Sequence, residues 1–375
     1  MKKLVCIIII LWFCFPVMAN AEEIQGETQD KIFAKFDFEE IDELLDNIFP
    51  NEKMDFQETI LGLINGEIEF SFELLKKMVL NQFLYEFQSS RSSMIHILII
   101  VIIGSVFHIF SGVFQNGQIS ELCFYVLYML LITIILDSFR ILVASVISGI
   151  ENLLQFLQLL SPIYFMAVTI ATGSVTSVAF YHVILFLVSL VETLILSIIL
   201  PLVQVYMIVR ILNDLSAEEF LSKLGELIQT IVSWSLKTLV AGVIGINMIQ
   251  SMLTPAIDSV KRSILTRGGE AIPVVGDAIG GVAEVILGTA VLIKNGIGVA
   301  GTIVCIAICL SPVIQMAVIA LMYKLTAALV QPISDKRMVG CISSMADGTT
   351  ILLKIILASC ILFLISIAMI AASTT

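Results

Sequence analysis

From Ser93 onward the chain is a succession of apolar runs separated by turns of a few residues. A helix needs ~20 mostly apolar residues to cross a hydrocarbon layer of ~30 Å. Within that layer each backbone polar group must be satisfied inside its own segment, so spans are helices unless strands close into a barrel. A soluble core could not hide so much apolar surface: of 375 residues 58% are hydrophobic and only 14% are charged. The expectation is an all-α, polytopic helical membrane protein.

Charge is uneven along the chain. Residues 22–91 carry 17 acidic and 6 basic side chains, an excess of 11 that equals the net charge of −11. The rest is balanced, with 14 of each sign. Residues 1–21, MKKLVCIIIILWFCFPVMANA, have a basic start, an apolar core and Ala19 and Ala21 in A-x-A spacing, the pattern of a signal peptide cleaved after Ala21. An uncleaved anchor is the alternative, and either places 22–92 outside the cytoplasm. In that segment Phe38, Ile41, Leu44, Leu45 and Ile48 recur at helical spacing before Pro50, and Phe70, Leu74 and Met78 continue the pattern. Three regions follow: a signal peptide at 1–21, a small acidic extracytoplasmic helical segment at 22–92 that docks on the membrane body or a partner, and a transmembrane domain at 93–375.

Apolar runs at 94–114, 122–150, 153–173, 178–210 and 228–253 make five spans before the basic residues Lys261, Arg262 and Arg267. Starting outside, five crossings place this cluster in the cytoplasm, where Lys and Arg are retained. Further runs lie at 272–301, 297–330 and 349–371, with Lys336 and Arg337 between the last two. If 272–301 crosses, both basic clusters are cytoplasmic and there are eight spans. If it dips and returns, there are seven.

No G-x-x-x-x-G-K-[ST], H-E-x-x-H or G-x-S-x-G pattern occurs. His96, His108 and His182 sit apart in apolar runs, and Cys305 and Cys309 share a helix face with no histidine nearby. No enzyme chemistry, metal, cofactor or nucleic-acid partner is expected. What remains are ionisable residues at lipid depth, which usually face protein or water. Lys324 and Lys354 are expected to snorkel, and Glu192 and Lys237 to form a buried pair.

The stretch 272–301, IPVVGDAIGGVAEVILGTAVLIKNGIGVAG, is the most distinctive. Asp277, Gly281, Glu284, Gly288 and Asn295 fall on one helix face, opposite Ile279, Val282, Ile286 and Ile293. Acids alternating with glycine allow close approach of another backbone while keeping carboxylates out of lipid. The face either packs helices or lines a water-filled gate. Gly296, Gly298 and Gly301 predict a sharp turn or unwound hinge of the kind that lines cavities.

The order of features, and above all this stretch with SPIYFMAVTIATG, ILPLVQVYMIVRILNDLS and KLGELIQTIVSWSLKTLVAGVIGI, resembles the stage III sporulation protein AE family of endospore-forming bacteria. The resemblance carries no catalytic residue. It implies a multi-pass protein of the mother-cell membrane around the engulfed forespore, in a secretion-like apparatus with the other stage III sporulation A proteins and stage II sporulation protein Q. That apparatus is required for late forespore gene expression. A channel or export-gate subunit is the leading expectation, and a homo-oligomer is compatible with it. A secondary transporter coupled through Asp277, Glu284 or Glu192, and a non-conducting scaffold for ring proteins, are the alternatives.

Overall fold

The computed structural model describes residue 33 and residues 36–49, 55–65, 72–111, 117–172, 175–215, 220–269 and 276–372. The side chains of 250–286 lie outside that description, as does the signal sequence. The described elements are helices: α1 (Glu39–Ile48), α2 (Phe56–Ile64), α3 (Phe72–Ser111), α4 (Gly117–Thr172), α5 (Val175–Leu194), a π turn (Ile195–Ile199), α6 (Leu200–Leu215), α7 (Ser222–Gly269), α8 (Gly276–Val330) and α9 (Lys336–Ala372). The all-α expectation holds, with no strand among the described residues.

The acidic segment forms α1 where the periodicity places it, and α2 in a stretch that periodicity did not mark. In α1, Ile41, Leu44 and Leu45 are buried, and Glu39, Glu40 and Asp42 lie in the first turn, where the helix N-terminus favours negative charge. Asp55 caps α2 by accepting from the Glu58 amide at 2.8 Å. Asp42 ties the two helices together by accepting from the Phe56 amide at 2.8 Å. Burial lifts the Asp42 carboxyl above its ordinary value, against the opposing pull of that amide. Phe33, Phe36, Phe38 and Phe56 make a chain of ring contacts that ends on Phe156 of α4, 6.2 Å from Phe56. The segment therefore docks on the membrane body.

Among the described residues, six helices are long and apolar enough to cross a membrane: Val79–Val106, Phe124–Ala171, His182–Leu215, Ser222–Ile246, Leu287–Val330 and Lys336–Ala368. Two pairs of runs expected as separate spans are fused into single helices. The runs at 122–150 and 153–173 are one helix, α4, of 56 residues, about 84 Å long. Its buried residues continue through Ile150, Leu153, Leu157 and Leu160, so nothing in the packing invites a break. Pro162 stays inside α4, where it removes one hydrogen bond to the Gln158 carbonyl. A cavity of about 350 Å³, lined by Gln158, Ser161, Phe165, His182 and Ser189 among others, lies beside it between α4 and α5. Likewise the described part of 272–301, from Gly276, and the run at 297–330 share one helix, α8. Since one helix separates the basic clusters at 261–267 and 336–337, they lie towards its opposite ends.

Pro201 lies in the first turn of α6. It follows the π turn, whose wider winding makes room for a ring that would otherwise meet the carbonyl four residues back.

Helix α8 is the hub, packing against α9, α4, α3 and α2. Helices α8 and α9 form an antiparallel hairpin, with Asp335 starting α9 by accepting from the Arg337 amide at 2.8 Å. The Gly149 position on α4 takes the Pro312 ring of α8: a Cβ there would stand 3.2 Å from Pro312 Cγ. Elsewhere the bundle turns large apolar side chains outward, including Ile99, Ile102, Phe186, Ile198, Ile208, Leu227 and Trp234. Water would penalise that surface and lipid accepts it.

Candidate functional site

The described members of the 277–295 face point away from the bundle. Asn295 is exposed, and a Cβ added at Gly288 would meet nothing within 4 Å. The opposite face is the packed one: Ala290, Ile293, Ile297 and Ala300 are buried, because aliphatic side chains fill the contact with α2 and α4 better than a polar stripe could. Asp277, Gly281 and Glu284 lie on the backbone of α8, with side chains outside the description.

The expected hinge is a continuous helix in this structure. Gly296, Gly298 and Gly301 are buried α-helical residues, and two of them are points of close approach. A Cβ at Gly296 would stand 3.0 Å from Ile64 and 3.1 Å from Ile60 of α2, and one at Gly301 would stand 2.7 Å from Leu160 of α4. Absence of a side chain, rather than backbone freedom, is what these glycines supply.

Glu192 and Lys237 do not form the expected pair. Glu192 is fully buried and its Oε2 accepts from the Ser359 hydroxyl of α9 at 2.8 Å, while Lys237 is exposed on α7. The other carboxyl oxygen of Glu192 is buried with no hydrogen-bond partner. Cys309 and Cys360 are neighbours of this carboxyl, and the π turn begins three residues on. A charged carboxylate with one free oxygen is expensive there and a protonated one is far less so. The chemistry available is that of a single buried acid.

A second polar contact joins α6 to α9 and was not legible in advance. Arg210 lies 4.0 Å from Asp347, and Asp214 accepts from the Ser344 hydroxyl at 2.5 Å. Gly340 gives Asp214 room, since a Cβ there would stand 3.1 Å from its carboxyl. Ser344 and Asp347 precede the apolar run at 349–371 and read as loop, but α9 already begins at Lys336. Nearby, the Arg337 guanidinium stands 4.0 Å over the Phe124 ring, a cation–π contact that anchors the α8–α9 turn on α4.

The largest polar feature is on the outside. Thr133, Asp137, Arg140, Ala144, Ser148, Glu151, Gln155 and Gln158 are all exposed on α4. At 100° per residue they share a sector of about 80° and extend along about 38 Å of the helix. No large apolar side chain stands among these eight positions. At i, i+3 Asp137 and Arg140 could pair on one face, yet among the described residues neither has a partner. Their 4-3-4 spacing with Thr133 and Ala144 was the signal that could have revealed the stripe.

The family model described as stage III sporulation protein AE matches residues 54–374, which leaves out the first half of the acidic segment. Stage III sporulation protein AE of Bacillus subtilis (strain 168) is 24% identical over 316 residues, covering 83% of this chain and 78% of that protein. No solved structure matches the chain. With a match spanning nearly the whole membrane bundle, the chain belongs to the stage III sporulation protein AE family.

Proposed function

We propose that this protein is a channel or export-gate subunit of a secretion-like apparatus joining mother cell and forespore, required for late forespore gene expression. Membership in a sporulation family supports the setting, and the outward polar stripe of α4 carries the reading. A stand-alone transporter gathers its polar groups inside its own fold, around a central site. Here the described interior offers buried ionisable residues on different helices, Glu86, Glu192 and Lys294, and the contact between α6 and α9, whereas the continuous polar surface is peripheral. Lipid rejects such a face, so the path lies between chains, and its wall includes Glu151, Gln155 and Gln158.

The subunit has no phosphate-binding loop, so a separate ATPase supplies energy. Its N-terminal helices face the space between the two membranes, next to the other stage III sporulation A proteins and stage II sporulation protein Q. The test is a set of single cysteines at 151, 155 and 158, probed with a membrane-impermeant thiol reagent in sporulating cells. Modification there, with protection of cysteines at the lipid-facing positions 99 and 186, is the expected outcome. Uniform protection removes the path and leaves a scaffold. Normal late forespore transcription after deletion of the protein removes the sporulation role altogether.

Glu192 favours a second reading, an ion-coupled permease working through that carboxyl, because an unpaired buried oxygen suits proton exchange. Glu192→Gln separates the two: loss of sporulation with normal membrane insertion selects coupling, and normal sporulation removes it.

A further inference from the structure

We infer that the lower half of the α4 stripe, Thr133 to Ala144, is the seam at which two copies of this chain meet. The inference rests on the reading that the stripe is covered in the assembly, and adds the identity of the neighbour. Asp137 and Arg140 are exposed within the candidate span Phe124–Ala171, and neither is paired among the described residues. Two unpaired charges on a membrane-facing surface require a partner that brings charge of its own.

The same patch holds one charge of each sign, and this decides the partner. A purely acidic neighbour would answer Arg140 and repel Asp137, and a basic one would do the reverse. A second copy related by a two-fold axis along the membrane normal answers both, with Asp137 of each chain against Arg140 of the other. Such an axis keeps the two α4 helices parallel. The residues differ in height by about 4.5 Å, well within the reach of an arginine side chain.

The positions on either side permit close approach. Ala144 is small, and the Thr133 hydroxyl is already satisfied by the Met129 carbonyl at 2.8 Å, so it presents a methyl. Positions 133, 137, 140 and 144 follow the four-three-four spacing of a helix seam, and exposed Leu130 and Ile141 give it an apolar rim. Above Ala144 the stripe carries Glu151 with no exposed cation beside it on that face, so self-complementarity ends there. Copies touch below, and the polar surface above is left to water.

The experiment places a photo-crosslinking residue at 133 or 144 in the full-length protein in sporulating cells, with 99 and 208 as lipid-facing controls. The expected product is a species of twice the chain mass containing this protein alone, formed from 133 and 144 and not from the controls. Asp137→Arg and Arg140→Asp alone each cut its yield about tenfold or more, as expected for breaking a desolvated pair, and Asp137→Arg with Arg140→Asp together restores it. Protein levels in the membrane distinguish lost contact from lost folding. Crosslinks to a different protein only would overturn the seam between copies while leaving the channel reading intact. Lipid adducts only would overturn both. Failure of the double exchange to restore the dimer, with all variants inserted normally, would overturn the pairing.

Discussion

Ser359→Ala removes the one hydrogen bond made by Glu192, the most deeply buried acid in the described bundle. The Ser359 hydroxyl donates to Glu192 Oε2 at 2.8 Å, both residues are fully buried, and the second carboxyl oxygen has no partner. Hydrogen bonds between membrane helices average about 0.6 kcal/mol and reach about 1.7. Orphaning a buried polar group costs about 1–3 kcal/mol. With no alternative donor on Oε1, Ser359→Ala belongs at the upper end of the first range, about 1.5–1.7 kcal/mol. Glu192→Leu alone leaves only the serine hydroxyl, which can turn to the carbonyl four residues back, so its cost is smaller, roughly 1 kcal/mol or less. Combining Ser359→Ala with Glu192→Leu removes both polar partners and brings stability back near the parent. The coupling between the sites is then about 1.5–2.7 kcal/mol, readable from unfolding of the purified protein in detergent. Ser359→Ala unfolding with the parent would refute the claim that this carboxyl sits in a dry, low-dielectric site. Sporulation by the apolar double variant separates stability from function: if it sporulates normally, Glu192 is a packing residue and the permease reading fails.

Gly149→Leu places a side chain where a Cβ is already 3.2 Å from the Pro312 ring, and overpacking of that kind costs about 1–3 kcal/mol, seen as earlier melting. Gly288→Ala, with open space around its Cβ, should instead be neutral or stabilise by up to ~1 kcal/mol through helix propensity. Phe56→Ala removes the ring that links the N-terminal aromatic chain to Phe156 and should weaken docking by about 3 kcal/mol, read as faster proteolysis of 36–65 with the bundle intact. Asp42 has a raised folded pKa, so its ionisation opposes the fold: the α1–α2 contact loses stability as pH rises from the unfolded value of 3.8 through the folded one. Asp42→Asn keeps an acceptor for the Phe56 amide without the charge. It should protect 36–65 from protease at pH 7 relative to the parent, with the difference vanishing below pH 3.8.

The sequence made helices legible and their joints illegible. Ile41, Leu44, Leu45 and Pro50 located α1 because amphipathic periodicity and a helix breaker are local signals. Pro162, Pro201 and the glycines at 296–301 carry equally local signals, yet each sits inside or beside continuous helix because its neighbours decide the outcome. Leu160 and Ile60 turn glycines that read as a hinge into contact points, and a π turn accommodates Pro201. The candidate site divides in the same way. That Glu192 would face protein followed from its surroundings, but the choice of Ser359 over Lys237 depends on which helices pack side by side. The α4 stripe has local periodicity and was within reach. Its polar positions are spread over two apolar runs either side of Glu151, each of which is hydrophobic enough by itself to be taken for a lipid-facing span.

The fused helices also reverse an inference drawn from basic residues. With the N-terminal segment outside, as the signal sequence predicts, four candidate spans precede 261–267 and a fifth, Leu287–Val330, precedes Lys336 and Arg337. The three basic residues at 261–267 then lie outside and the two at 336–337 inside, against a count based on numbers alone. The retention of Lys and Arg operates within about 15–20 residues of a span end. Helix α7 itself continues to Gly269. Lys336 and Arg337 adjoin the spans on either side. Cysteines at 263 and 336 should therefore react from opposite sides of the membrane, the first with an impermeant reagent added outside and the second only after permeabilisation. Reaction of both from one side would mean that α8 does not cross, and the six-helix order would fail with it.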